Sequence, residues 1–441
     1  MSIGYLDSQK LTDIANAIRS KNGEESSYTP SQMPQKILDI PSPKRGISQW
    51  KQVAVIDYDG TLIADYTRQE ALALTSLPIA PDHSQDELPL AFEKYNWTLA
   101  EVKDHLTNHP QLNITVGALY RSTDALSHFI YNIDDDRLTI HIKVTTNGSD
   151  YQGRYFDWGD GTITNFSSYV SDYSHTYTTQ GRYHVKLKAP IFSFSDNYVR
   201  DEHGPETFSV GTEVTSYESC AFFRAVELLK APLSDIPLTS FASNNQPRQI
   251  EALVLSANSS NFILNNNYLC NLRIISLPAG YICPQSTLSL SYNPYLERCD
   301  IPYGSTSRFD GISGTNIRSF TFPSSMGSLN MFSSNYKIEK ITFEEGVTSL
   351  PSGIAISNTY NLKELYLPST LTEIQYMFSP CSPSLTIWCY SQTPPTLPSE
   401  WRYIKPWPKK VYIPYGTYQT YSTNQYWSEI AVLLEEMPQT T

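Results

Sequence analysis

Charge is scarce in this chain. Only 17% of its 441 residues are Asp, Glu, Lys or Arg, against the roughly 25% usual for soluble domains. The balance is acidic, with a formal net charge of −12. The basic clusters Lys44-Arg45 and Lys409-Lys410 are too short to neutralise a run of phosphates, so no nucleic-acid partner is expected. No apolar run approaches the roughly 18 to 20 residues a bilayer requires. The start, "MSIGYLDSQK", lacks a basic region followed by an apolar one. We therefore expect a soluble product made in the cytoplasm, without membrane insertion.

Cysteine is also sparse: Cys220, Cys270, Cys283, Cys299, Cys381 and Cys389 all lie in the C-terminal half, and none forms a C-x-x-C pair. They read as reduced, buried small hydrophobes rather than metal ligands or bridges. No G-x-S-x-G or H-E-x-x-H occurs, which removes two common hydrolase arrangements. No cofactor and no metal site are expected.

What the chain does have is aromatics, at 12% with 31 Tyr. Such a composition favours strands and suits contact surfaces built from rigid amphipathic rings. At this length, several cores along the chain are expected.

The stretch "VAVIDYDGTLIADY", Val53 to Tyr66, admits two readings. Asp57 and Asp59 have the spacing of a nucleophile and a general acid around Mg²⁺, and the motif resembles the opening of haloacid-dehalogenase-type phosphatases. Yet that chemistry needs further groups on parallel strands separated by helices. The next 90 residues, broken by Pro78, Pro81, Pro89 and Pro110, do not supply them. Asp59-Gly60 between two β-rich segments is a hairpin signal, and that is the reading we favour. Short helices are predicted near Arg68 to Leu74 and from Thr98 to His105, where Thr98 and Glu101 form a capping box. The acidic run Asp134-Asp135-Asp136 sits between alternating segments and reads as a turn joining two strands.

The opening "LTDIANAIRSKNGEESSYTPSQMPQKILDI" predicts two short helices. It resembles a module that begins many tail and minor structural proteins of bacteriophages. "VIDYDGTLIADYT … YNWTLAEVKDHL" resembles a module of the same phage proteins and of bacterial surface proteins. "YFDWGDGTITNFSSYVSDYSHTYTTQGRYHVKLKA" contains W-G-D-G, S-H-x-Y and G-x-Y and resembles a polycystic-kidney-disease (PKD) type immunoglobulin-like domain. Asp160-Gly161 is its hairpin turn, and Trp158 plugs its core. Asp157 and Asp160 are read as turn-forming rather than calcium-binding.

From residue 226 onwards, "VELLKAP", "IEALVLS", "LRIISLPAG", "LERCDIPYG", "IRSFTFPSS", "IEKITFEEG", "LKELYLPST" and "LTIWCYS" recur every 21 to 24 residues or so. Each unit carries a strand, a turn and a loop anchor such as Phe262 or Met377. The units must stack to bury their apolar sides, giving a parallel ladder. The array resembles BspA-type leucine-rich repeats. Tyr292, Tyr295 and Tyr303 are a candidate aromatic group on it, or else fillers between repeats. Trp427, Ile430, Leu433 and Leu434 have the helical spacing of a terminal cap.

The expected fold is therefore multidomain and mainly β. It comprises a helical docking module at 1–41, a linker at 42–49 and a β-hairpin/helix module at 50–111. A PKD-type Ig-like β-sandwich follows at 112–190, then a leucine-rich-repeat solenoid at 191–398 and a strand-helix cap at 399–441. These resemblances imply a non-enzymatic bacteriophage virion protein, part of a tail or head fibre. It would dock to other virion proteins by its N-terminal module and offer the repeat surface to a host glycan or protein. A homo-oligomer, trimer before dimer, is expected. A bacterial surface adhesin and a phosphatase using Asp57 and Asp59 are the alternatives.

Overall fold

The computed structural model describes residues 46–439, apart from 135–137, 146–151, 167–169, 190, 195–204, 215, 221–228, 236–249, 258–270, 282–287, 292, 306–308, 326–334, 351–358, 375–381 and 398–405. The expected helical module at 1–41 lies outside the described residues, as do Phe262, Met377 and Tyr292. The chain divides into two compact units, residues 1–49 and 50–441. All of the strands among the described residues lie in the second unit.

Its first sheet has four strands: β1 (Val53–Ile56), β2 (Leu62–Tyr66), β3 (Leu90–Tyr95) and β4 (Ile114–Ser122), in the order β2-β1-β4-β3. β1 runs parallel to β4, and the outer pairings are antiparallel. β1 is wholly buried and β4 nearly so, as continuous apolar runs covered on both faces should be. One face carries Val53, Val55, Ile114 and Val116 against Ala71, Val102 and Leu106. Those three residues belong to helices α1 (Arg68–Ala73) and α2 (Leu99–Asn108), which start in the capping boxes Thr67–Glu70 and Thr98–Glu101. β4, which follows the expected 50–111 module in sequence, is one of the two central strands of this sheet.

The β1–β2 hairpin is present. The Asp57 N–H donates to the Thr61 carbonyl (2.8 Å) and the Gly60 N–H to the Asp57 carbonyl (3.0 Å), so the loop has three residues and Gly60 alone carries the left-handed φ of 82°.

Two further sheets follow. β5 (Ser127–Ile133), β7 (Tyr155–Asp157), β8 (Ile163–Asn165), β10 (Gly181–Lys188) and β12 (Thr207–Ser209) make one, in the order β12-β5-β10-β7-β8. β6 (Thr139–Thr145), β9 (Val170–Thr176), β11 (Ile191–Phe194) and β13 (Ser216–Cys220) make the other, in the order β13-β11-β6-β9. Their buried faces meet where Phe156 lies 5.3 Å from Tyr173. Trp158 is fully buried and stacks on Phe156. β5 and β6 fall in different sheets, so the link through Asp134 crosses between sheets rather than closing a hairpin. β10 begins at Gly181 itself, so the G-x-Y motif opens the strand.

The C-terminal part is a β-solenoid of about five turns. Its ladder is made of two sheets, one of three strands (Ala252–Val254, Ile274–Ser276 and Arg298–Asp300) and one of six (Ser319–Phe322, Lys340–Phe343, Glu364–Leu367, Thr386–Cys389, Lys410–Ile413 and Leu434–Glu436). Every pairing in it is parallel. Alternate residues such as Leu253, Ile275, Phe343, Leu365, Ile387 and Val411 are buried, forming the stacked core that a single repeat could not make. Cys299 and Cys389 are free and buried, as expected.

The far end departs from the expected helix. Trp427–Leu433 is a 3-10 helix, and Leu434 opens a strand that pairs with Val411 as the last rung. Trp427 and Ile430 are fully buried. No helix among the described residues is long and apolar enough to cross a membrane.

Candidate binding surface

Residues that alternate with the solenoid core point outward, and this outward face is divided into two parts. On the first three strands it is covered by the first sheet. Gly117 on β4 lies so close that a Cβ there would sit 2.4 Å from Val254 Cγ1. One at Gly60 would sit 2.9 Å from the Ala252 Cβ, so the hairpin glycine serves close approach as well as the turn. Asn96 Nδ2 donates to the Leu255 carbonyl and to Ser276 Oγ (both 2.9 Å), and Trp97 Nε1 donates to the Leu277 carbonyl (2.8 Å). Arg298, nearly buried, pairs with Asp300 (2.7 Å) and donates to Thr115 Oγ1 and to the carbonyls of Lys51, Gln52 and Ile114. The α2 end adds His109, whose Nδ1 lies 2.6 Å from the buried Glu344 and whose ring stacks on Tyr303 at 3.7 Å.

From Glu364 onwards the side chains on the same face are only partly buried among the described residues. Tyr366, Trp388 and Tyr412 occupy equivalent rungs and form a stacked column. Tyr366 and Trp388 are 5.9 Å apart and nearly parallel, and Trp388 and Tyr412 are 4.2 Å apart. All three are half-buried. In the neighbouring column, made of Lys340, Glu364, Thr386 and Lys410, Lys340 lies 4.0 Å from Glu364 and 4.4 Å from the Tyr366 ring centre. Lys410 pairs with Glu435 and sits over the Tyr412 ring. A third column links Arg318, Glu339 and Lys363, so opposite charges support the ladder across strands. Burial, then the nearby Glu364 carboxylate, pushes the Tyr366 hydroxyl up to about 12. The Trp388 indole N–H is shielded from water and has no acceptor among the described residues, an orphan of the kind that marks a special position. Aromatic rings flanked by charged side chains are the make-up of a protein-contact patch.

These residues were not singled out by the sequence. The available signal was an aromatic middle residue in "LYL", "IWC" and "VYI" at matching places in successive strands. Of the tyrosines that were, Tyr295 is 57% exposed and Tyr303 rests on His109 of the first module rather than on its neighbours.

The two aspartates of the opening motif do not converge. Asp59 Oδ1 accepts from the Thr61 N–H (2.9 Å), tying the turn. Asp57, buried, faces His83 Nε2 at 2.8 Å, while His83 Nδ1 meets Asp86 at 2.7 Å. Tyr58 and Tyr120 wall the imidazole edge-on at 5.2 Å. Burial disfavours its charge, but the Asp57 and Asp86 carboxylates outweigh burial and leave the His83 pKa raised. The phosphatase chemistry calls for parallel strands flanking the nucleophile, whereas β1 has β4 parallel on one side and β2 antiparallel on the other. Asp157 Oδ1 accepts from the Gly159 N–H, and Asp160 accepts from Thr162 and meets His175 at 2.7 Å. Among the described residues no group of three acidic, His or Cys side chains is placed to hold a metal ion. The sequence matches no protein-family model and no curated protein.

Proposed function

We propose that this chain is a non-enzymatic structural and attachment protein of a bacteriophage virion. In this reading residues 1–41 dock to the particle, the paired sheets at 127–220 are a PKD-type Ig-like spacer, and the ladder is a BspA-type leucine-rich-repeat array that displays a contact surface. The observation that carries it is the division of the outward face. The first strands are consumed by an internal partner, and the remainder presents the Tyr366–Trp388–Tyr412 column, rimmed by Lys340 and Lys410, to an external one. The 21-to-24-residue pairing interval of the ladder supports the repeat assignment. The buried Trp158 at the Asp157-to-Asp160 turn supports the Ig-like one.

Four experiments test it. Gold-labelled antibody to the chain should decorate purified particles, and labelling of cell envelopes alone would favour the adhesin. A Tyr366→Ser, Trp388→Ser, Tyr412→Ser variant should lose adsorption to host cells by about tenfold or more, about 1.4 kcal/mol, with its melting curve retained. Unchanged adsorption would remove the column from the attachment surface. Mg²⁺-dependent ester hydrolysis abolished by Asp57→Asn would restore the phosphatase. Light scattering of the full chain should show an oligomer, with a trimer expected before a dimer.

A further inference from the structure

A cleft of about 300 Å³ lies where the loop before β3 meets β10, β12 and residues 229–230. Tyr58, Leu88 and Leu229 supply apolar wall, and Leu229, held by its N–H on the Glu206 carbonyl, is 42% exposed. The rim is charged but largely self-compensated. Both oxygens of Glu87 and one of Glu206 grip the Arg182 guanidinium. One oxygen of Asp86 is taken by His83. This leaves the second oxygens of Asp86 and Glu206 as acceptors and the Lys230 ammonium as a donor, with no side-chain partner for them among the described residues.

The chemistry of the occupant follows by elimination. An anion meets three carboxylates at close range. A metal ion finds Glu87 and Glu206 already committed to a guanidinium. A wholly apolar molecule would strip water from charged groups and return no hydrogen bonds. A hydroxyl-rich neutral ring satisfies each wall: its hydroxyls donate to the spare carboxylate oxygens, one accepts from Lys230, and its C–H face lies on Leu229, Leu88 and Tyr58. The volume is at the small end of ligand pockets, roughly 300 to 1,000 Å³, enough for one sugar ring. We infer that this cleft, remote from the aromatic column, is a binding site for a neutral monosaccharide unit.

The test is saturation-transfer NMR and calorimetry of the full chain with glucose, galactose and N-acetylglucosamine, and with acetate and ethylammonium as charged controls. At least one sugar should bind and both controls should not. Leu229→Trp, a change at an exposed position that fills the cleft, should weaken that sugar by about tenfold or more with the melting curve retained. Asp86→Asn, which keeps the side-chain shape at another exposed position, should weaken it in the same direction. Failure of all three sugars to bind, binding of a charged control instead, or sugar binding unaltered in both variants would overturn the assignment.

Discussion

Gly117 and Val254 are in contact across 137 positions of sequence, so closely that the methyl of an alanine would fall 2.4 Å from a valine methyl. The first sheet and the solenoid are thus fitted as one packed layer against another. Gly117→Ala should destabilise the protein by overpacking, about 1 to 3 kcal/mol. Trimming the neighbour, with Val254→Ala in the same chain, should recover part of that loss. Denaturant midpoints of the two variants check this.

Arg298 is the polar counterpart of that fit. Its removal leaves Asp300 and three backbone carbonyls facing an uncompensated, nearly buried space. Arg298→Met should cost about 3 to 5 kcal/mol. Arg298→Lys should recover only part of this, since an ammonium cannot span the same fork of acceptors. Chemical denaturation of both variants gives the comparison.

His83, held between Asp57 and Asp86, binds its proton more tightly in the folded chain than in the unfolded one. The stability it adds is therefore full below about pH 6.5, the unfolded value, and is lost as pH rises through the higher folded value. Wild type should exceed His83→Gln most at mildly acid pH, and the gap should shrink on going alkaline. Denaturation curves across that range give the sign directly.

His105 acts in the opposite sense. Burial, reinforced by the charge of His109, lowers it to about 4, and its Nε2 has no partner among the described residues. The unfolded chain takes up this proton first, so stability falls from about pH 6.5 down to about pH 4 by as much as about 3 kcal/mol. His105→Phe should flatten that part of the stability-against-pH profile.

Trp427 seals the last turns: it is fully buried, donates to the Pro395 carbonyl at 2.8 Å and packs edge-on to Tyr421. Trp427→Ala should cost about 3 to 5 kcal/mol and, by loosening the terminal rung, promote association through exposed strand edges. Melting temperature and light scattering on heating report the two effects.

The repeat ladder was legible because its signal is local and repeated: an alternating strand such as "IEKITFEEG" announces both its buried and its open side. The capping box at Thr98 and the Asp59-Gly60 turn belong to the same short-range class. The sites were less legible because they depend on distant meetings. Nothing near Asp57 points to His83, 26 residues on and outside any motif. Nothing near "YNW" shows that Asn96 and Trp97 close on backbone 159 to 180 residues away. At the cap, the spacing of Trp427, Ile430, Leu433 and Leu434 suits a helix, but the open edge at Val411 offered backbone partners and drew Leu434 into the ladder.

The bonds made by Asn96, Trp97 and Arg298 to the opening rungs also bear on how such an array can change length over generations. A whole unit gained or lost beyond Glu345, on the last of these rungs bonded by His109 and Gln111, leaves that junction in phase. The same event among the opening rungs would carry Arg298 a full step away from Thr115. Added or lost turns are therefore accommodated at the distal end, where the chain can lengthen its reach without disturbing that junction.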